Sequence, residues 1–263
     1  MFLLTLAFGM IILSIASYID LKTREVPDYL SNLLICGAMF IRVLWFLAEK
    51  DIRIISWIPL SFLILGAFSY LMYKSGQWGG GDVKVMLGLS ILYSSFPGEK
   101  IPFFFNYLFN VLIVGAIYGI LSVYLLALKK KKIHEKAIIL PVAFVLSLLF
   151  FLFLNPLIAF LSFFIVISLV ALFVLKDIEK ELFECYVSVN KLTEGDWLVN
   201  DVKYKGKLIV KKRSTGLTLD DIKKIKKCGI KRVKIKSGIP FVPVFLISLT
   251  LTLIFGNLMF LFV

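Results

Sequence analysis

The chain has 263 residues, of which 60% are hydrophobic, 15% aromatic and 18% charged, with a mean hydropathy of +0.93. That is more apolar side chain than one water-soluble core holds, so a soluble globular enzyme or binding module is excluded and a polytopic α-helical membrane protein is expected. The formal charge of +13 does not indicate nucleic acid, because the lysines fall between apolar runs, where they act as topology signals.

In chain order, apolar runs lie at about 2–19, 29–48, 54–73, 83–96, 101–128, 138–154, 156–175 and 240–263. They predict about eight spans, with seven as the alternative if the pair joined at Asn155-Pro156 forms one kinked helix. The first run ends at Asp20 and Lys22 with no small-residue cleavage site, which reads as a retained span. Run 83–96 is too short to cross a bilayer and follows three glycines, so it is expected as a tilted or half-buried helix that starts inside the membrane.

The basic residues orient the spans. Lys22, Arg24, Lys74, Lys84, the Lys129–Lys132 run and Lys136 fall on one side, and only Lys50, Arg53 and Lys100 on the other. The positive-inside rule then places the N-terminus outside and both Asp20 and Asp82 at the cytoplasmic face of a multi-pass plasma-membrane protein. The lysine run itself reads as a headgroup anchor.

Three segments follow: a membrane core at 1–175, a small cytoplasmic α+β domain at 176–238, and a last transmembrane helix of the core at 239–263. The middle segment has 17 Lys+Arg against 9 Asp+Glu. Alternating residues predict strands at 183–190, 207–212 and 231–236, and Thr218 to Gly229 reads as a helix. Thr218 would cap it with Asp221 at the third position, and Gly229 would end it. No nucleophile or metal-ligand spacing occurs there, so a structural or docking role is expected. Cys36, Cys185 and Cys228 form neither a Cys-x-x-Cys pair nor a disulfide framework.

Two acids occupy positions that membrane proteins ordinarily avoid. Asp20 closes the first span in Ser17-Tyr-Ile-Asp-Leu-Lys-Thr-Arg-Glu-Val-Pro27-Asp28, and Asp82 follows Gly79, Gly80 and Gly81. Singly, Asp20 reads as an interfacial loop acid and Asp82 as a helix N-cap. Together, two carboxylates at one face can share a proton, one activating water while the other donates to a carbonyl, which is peptide hydrolysis without a metal. Glycines beside them let an extended substrate backbone approach. Phosphate binding is disfavoured because Asp82, not Gly-Lys-Ser/Thr, follows the glycines.

These residues carry a family resemblance. Gly79-Gly80-Gly81-Asp82 resembles the Gly-x-Gly-Asp motif of membrane aspartic peptidases, and Asp20-Leu-Lys-Thr-Arg-Glu-Val-Pro resembles the corresponding segment of the type IV prepilin peptidase family. Gly238-Ile-Pro-Phe-Val-Pro is similar to the opening of the last span in archaeal preflagellin and prepilin peptidases. The resemblance covers about 1–128 and 238–263. It implies cleavage of class III signal peptides of archaellin or pilin precursors, with Asp20 and Asp82 as the catalytic pair, Gly79 and Gly81 as motif glycines, and neither metal nor cofactor. N-methylation is not expected, since the Cys-x-x-Cys pairs of the bacterial members are missing. A proton-coupled transporter using the acids as a relay, or a presenilin-like or signal-peptide-peptidase-like protease, are the alternatives. Against the latter, the chain offers Ile19-Asp20 and Pro240-Phe-Val where Tyr-Asp and Pro-Ala-Leu would stand.

The remaining polar residues have plainer readings. Glu25 and Asp28 are solvated loop acids that could also attract a basic substrate segment. His134 is a loop residue without a second ligand. Arg42 is expected to snorkel to the outer interface, and Gln77 and Trp78 to anchor their loop among headgroups.

Overall fold

The computed structural model describes residues 1–129, 142, 145–146, 183–213, 216–236 and 238–258. His134, the lysines from 130 to 136 and nearly all of the runs expected at 138–154 and 156–175 lie outside the described residues.

The apolar runs form helices α1 (Phe2–Thr23), α2 (Asp28–Glu49), α3 (Arg53–Ser56), α4 (Ile58–Lys74), α5 (Gly80–Leu92) and α6 (Phe103–Lys129). Four stretches, Phe2–Thr23, Asp28–Glu49, Arg53–Lys74 and Phe103–Leu126, are long and apolar enough to cross a membrane. The short α5 has 13 residues, about 20 Å of rise, against a hydrocarbon core of about 30 Å. It is the hub of the bundle and packs most extensively on α2 and α4. Leu34 of α2 lies where a side chain on Gly88 would stand, and Ser61 of α4 donates to the Ser90 carbonyl at 2.6 Å. A glycine and a serine here bring backbones together where lipid offers no hydrophobic drive.

The end of α5 corrects one expectation. Arg42 does not snorkel; it is fully buried and caps the C-terminus of α5 from α2. Its Nε donates to the Ile91 and Leu92 carbonyls at 3.2 and 3.1 Å, and a terminal nitrogen donates to Leu92 at 2.7 Å. The other terminal nitrogen reaches the Ile54 carbonyl at 3.4 Å, and the guanidinium lies over the Trp45 and Phe96 rings. A helix that stops short leaves its last carbonyls without partners, and in a low-dielectric setting a buried guanidinium supplies several donors at once.

Residues 183–213 and 216–236 form a small sheet-containing region with its own core, including Val189, Leu198, Ile225, Val233 and Ile235. Strands β1 (Glu184–Ser188), β2 (Trp197–Leu198) and β5 (Arg232–Lys236) make an antiparallel sheet in the order β1-β5-β2, with Glu184 opposite Lys236. Strands β3 (Val202–Tyr204) and β4 (Lys207–Val210) form a separate hairpin. Helix α7 (Leu219–Lys227) has the anticipated cap: Asp221 N–H donates to Thr218 Oγ1 at 3.2 Å, and Asp221 Oδ2 accepts from the Thr218 amide at 3.2 Å. Helix α8 (Val242–Phe255) then returns to the bundle and packs on α6 and α1.

Candidate active site

Asp20 lies in the last turn of α1, which continues past it to Thr23 and ends with Arg24 in the left-handed conformation. An acid near a helix C-terminus meets the negative end of the dipole. Here a second helix offsets that: the buried Asp20 sits at the N-terminus of α8, where the Val242 amide donates to its Oδ2 at 3.0 Å. The Phe241 amide also hydrogen-bonds it. The first amides of a helix have no partner inside it, so the Gly238-Ile-Pro-Phe-Val segment, which starts α8, provides a carboxylate seat.

Asp82 is not the N-cap of α5. Gly79 holds that position, and Asp82, three residues on, turns back so that its Oδ2 accepts from the Gly79 amide at 2.8 Å. The two carboxylates are close enough for their charges to interact.

Two contacts bring the acid-bearing segments together. Gly81 faces Val26 so closely that a Cβ on Gly81 would stand 3.0 Å from Val26 Cβ, joining the Gly-Asp turn to the Val26-Pro27 connection after α1. Trp78 is buried by protein, so its ring is not free to anchor among headgroups; it lies 5.2 Å from both Phe241 and Phe245 and 5.4 Å from Phe68. It thereby links the glycine turn to the start of α8. Gly80, by contrast, is exposed and has nothing within 4 Å of the position a Cβ would take. The backbone beside the acids is therefore open at Gly80 and packed at Gly81.

Glu25 and Asp28 lie at the same end, each with a partner. The Thr193 hydroxyl donates to Glu25 Oε1, and Lys84 pairs with Asp28 at 2.6 Å across an exposed surface. Val26, Trp78, Phe241 and Val242 were not singled out as site residues by the sequence. The only available signal was the Gly-Ile-Pro-Phe-Val-Pro motif, which marks where α8 begins but not that its amides face Asp20. Among the described residues no group of three His, Cys, Asp or Glu side chains is placed to hold a metal ion.

Comparison with known proteins gives a match within the N-terminal part of the chain. Residues 7–123, which include both aspartates, match the sequence model of the type IV leader peptidase family. No curated protein and no solved structure matches the chain. Over residues 7–123, this chain is similar to the type IV leader peptidase family.

Proposed function

We propose that this chain is a membrane aspartic endopeptidase that removes class III signal peptides from archaellin or pilin precursors at the cytoplasmic membrane face. The similarity of residues 7–123 to the type IV leader peptidase family supports the broad class, a peptidase acting on leader segments. The observation that carries the finer reading is the convergence of Asp20 and Asp82, from separate helices, at one end of the bundle beside the uncovered backbone of Gly80.

The chemistry follows from the pair. Two carboxylates this near hold one proton between them more easily than two negative charges. The ionised member takes a proton from water as the water oxygen attacks the scissile carbonyl carbon, and the protonated member gives its proton to the carbonyl oxygen. Collapse of the tetrahedral intermediate breaks the C–N bond as the proton gained from water passes to the departing amine and a hydroxyl proton of the intermediate returns to the other carboxylate, which restores the singly protonated pair. The Val242 and Gly79 amides orient one carboxylate each, and open backbone at Gly80 offers room for a substrate strand.

The test uses the full chain in proteoliposomes with synthetic precursors made of a basic segment, a glycine and an apolar helix. Mass spectrometry should find one cut directly after the glycine. Failure to cut any precursor, together with proton leakage that requires Asp20 or Asp82, would favour a relay instead.

A further inference from the structure

The β3–β4 hairpin has a composition that the peptidase reading does not use. Its turn residues, Lys205 and Gly206, both have positive φ (48° and 79°), the geometry of a tight two-residue hairpin turn. At the base, Val202 and Val210 are buried in the small core. Beyond them Lys203, Tyr204, Lys205, Gly206, Lys207 and Leu208 are all exposed, so the tip projects as a finger with little packed against it.

Cross-strand register places the side chains on the two faces of that finger. Lys203 pairs with Leu208, and Tyr204 pairs with Lys207. Paired residues share a face, so each face of the tip carries one apolar group and one lysine. Tyr204 and Leu208 are 40% and 54% exposed, although Val202 on the same ribbon is buried. Among the described residues none of Lys203, Lys205 and Lys207 is in an ion pair; Lys205 instead lies over the Tyr204 ring at 5.6 Å. From Val202 to Arg213 there are six basic residues and no acidic one.

The region bearing the finger is held to the bundle at two places. Strand β5 ends at Lys236, a short connection before α8, whose first amide binds Asp20. Thr193, in the loop before β2, hydrogen-bonds Glu25 of the α1–α2 connection. The hairpin is therefore tethered beside the bundle end that carries the acids.

From this placement we infer that the β3–β4 hairpin is a lipid-contact element, whose tip enters the interfacial layer of an anionic bilayer with Tyr204 and Leu208 among the headgroups and Lys203, Lys205 and Lys207 pairing with phosphates. A tyrosine and a leucine on opposite faces suit immersion on all sides. A flat protein contact would collect both on one face. Near an anionic surface each lysine contributes about five-fold in partitioning, and Tyr is an interfacial residue.

A nitroxide at Leu208→Cys, in the full chain with Cys36, Cys185 and Cys228 replaced by serine, tests this in vesicles. A second label at Lys223→Cys, on the exposed face of α7, serves as the reference for a correctly folded region. In vesicles containing phosphatidylglycerol, collisions of the Leu208 label with a water-soluble nickel chelate should fall at least three-fold relative to pure phosphatidylcholine. The Lys223 label should not change, and replacing the three hairpin lysines with glutamine should abolish the difference. Equal access to nickel in both lipids would overturn the proposal. So would equal shielding in both lipids and in detergent, which would mean that protein covers the hairpin.

Discussion

Helices α5 and α7 begin with the same device and differ by one side chain. In both, an aspartate at the third helical position accepts a hydrogen bond from the N-cap amide, Asp82 from Gly79 at 2.8 Å and Asp221 from Thr218 at 3.2 Å. In α7 the threonine hydroxyl returns the bond to the aspartate amide at 3.2 Å and closes the box. Gly79 has no side chain with which to do so. The closed start is a stability feature of a water-exposed helix. The open one leaves bare backbone beside a carboxylate whose charge interacts with that of Asp20, an arrangement suited to chemistry. The stability of α5 is supplied instead from its far end, where Arg42 covers the carbonyls of Ile91 and Leu92.

Breaking that far end should have the largest effect on stability. Arg42→Met strands buried carbonyls, and unfolding in detergent should show a loss of about 3 kcal/mol. Next is the packed glycine: Gly81→Ala places a methyl 3.0 Å from Val26 Cβ, which shifts the turn bearing Asp82. Precursor turnover should fall roughly ten-fold while the protein remains folded.

At the closed helix start, Thr218→Ala should cost about 1 kcal/mol in the 183–236 region and nothing at the peptidase site. It should also change the acid response. Burial alone would raise the Asp221 carboxyl, but hydrogen bonds from Thr218 and the charges of Arg213 and Lys224 outweigh it and leave the group below its ordinary value. A carboxyl lowered in the folded state contributes stability that is fully present above the unfolded value of about 4 and is lost as pH falls through the folded value. Circular dichroism titration should show this acid-sensitive component in the wild type and less of it in Thr218→Ala. Smallest in stability is the reciprocal change, Gly79→Ser. Serine gains only a few tenths of a kcal/mol over glycine as a cap. Thermal unfolding should therefore move little or slightly upward, while cleavage falls because the open start has been closed.

Much of this organisation is legible in the sequence, and the exceptions have physical causes. The α7 cap and the strands at 184–188, 207–210 and 232–236 follow from local signals: an Asp three positions after Thr, and alternation of apolar and polar residues. Strands β2 and β3 are too short to show a period, having two and three residues. The glycines and acids stand out because they break apolar runs. Arg42 misleads because a lone arginine near a span end usually reaches water; only tertiary contact reveals unpaired carbonyls at Leu92 to receive it. Trp78 misleads similarly, since a tryptophan beside glycines resembles an interfacial anchor until Phe68, Phe241 and Phe245 surround it. The seat for Asp20 consists of main-chain amides of Phe241 and Val242, and backbone donors leave no mark on residue type.

The acid pair itself is the central claim, and release of the leader segment measures it directly. Mass spectrometry would follow that release for wild type, Asp20→Asn, Asp82→Asn and the double variant, all in proteoliposomes at matched protein levels. Groups that act as a unit are non-additive, so each single variant should lose essentially all turnover and the double variant should be no worse than either. Substantial turnover by Asp20→Asn or by Asp82→Asn would contradict the two-carboxylate mechanism.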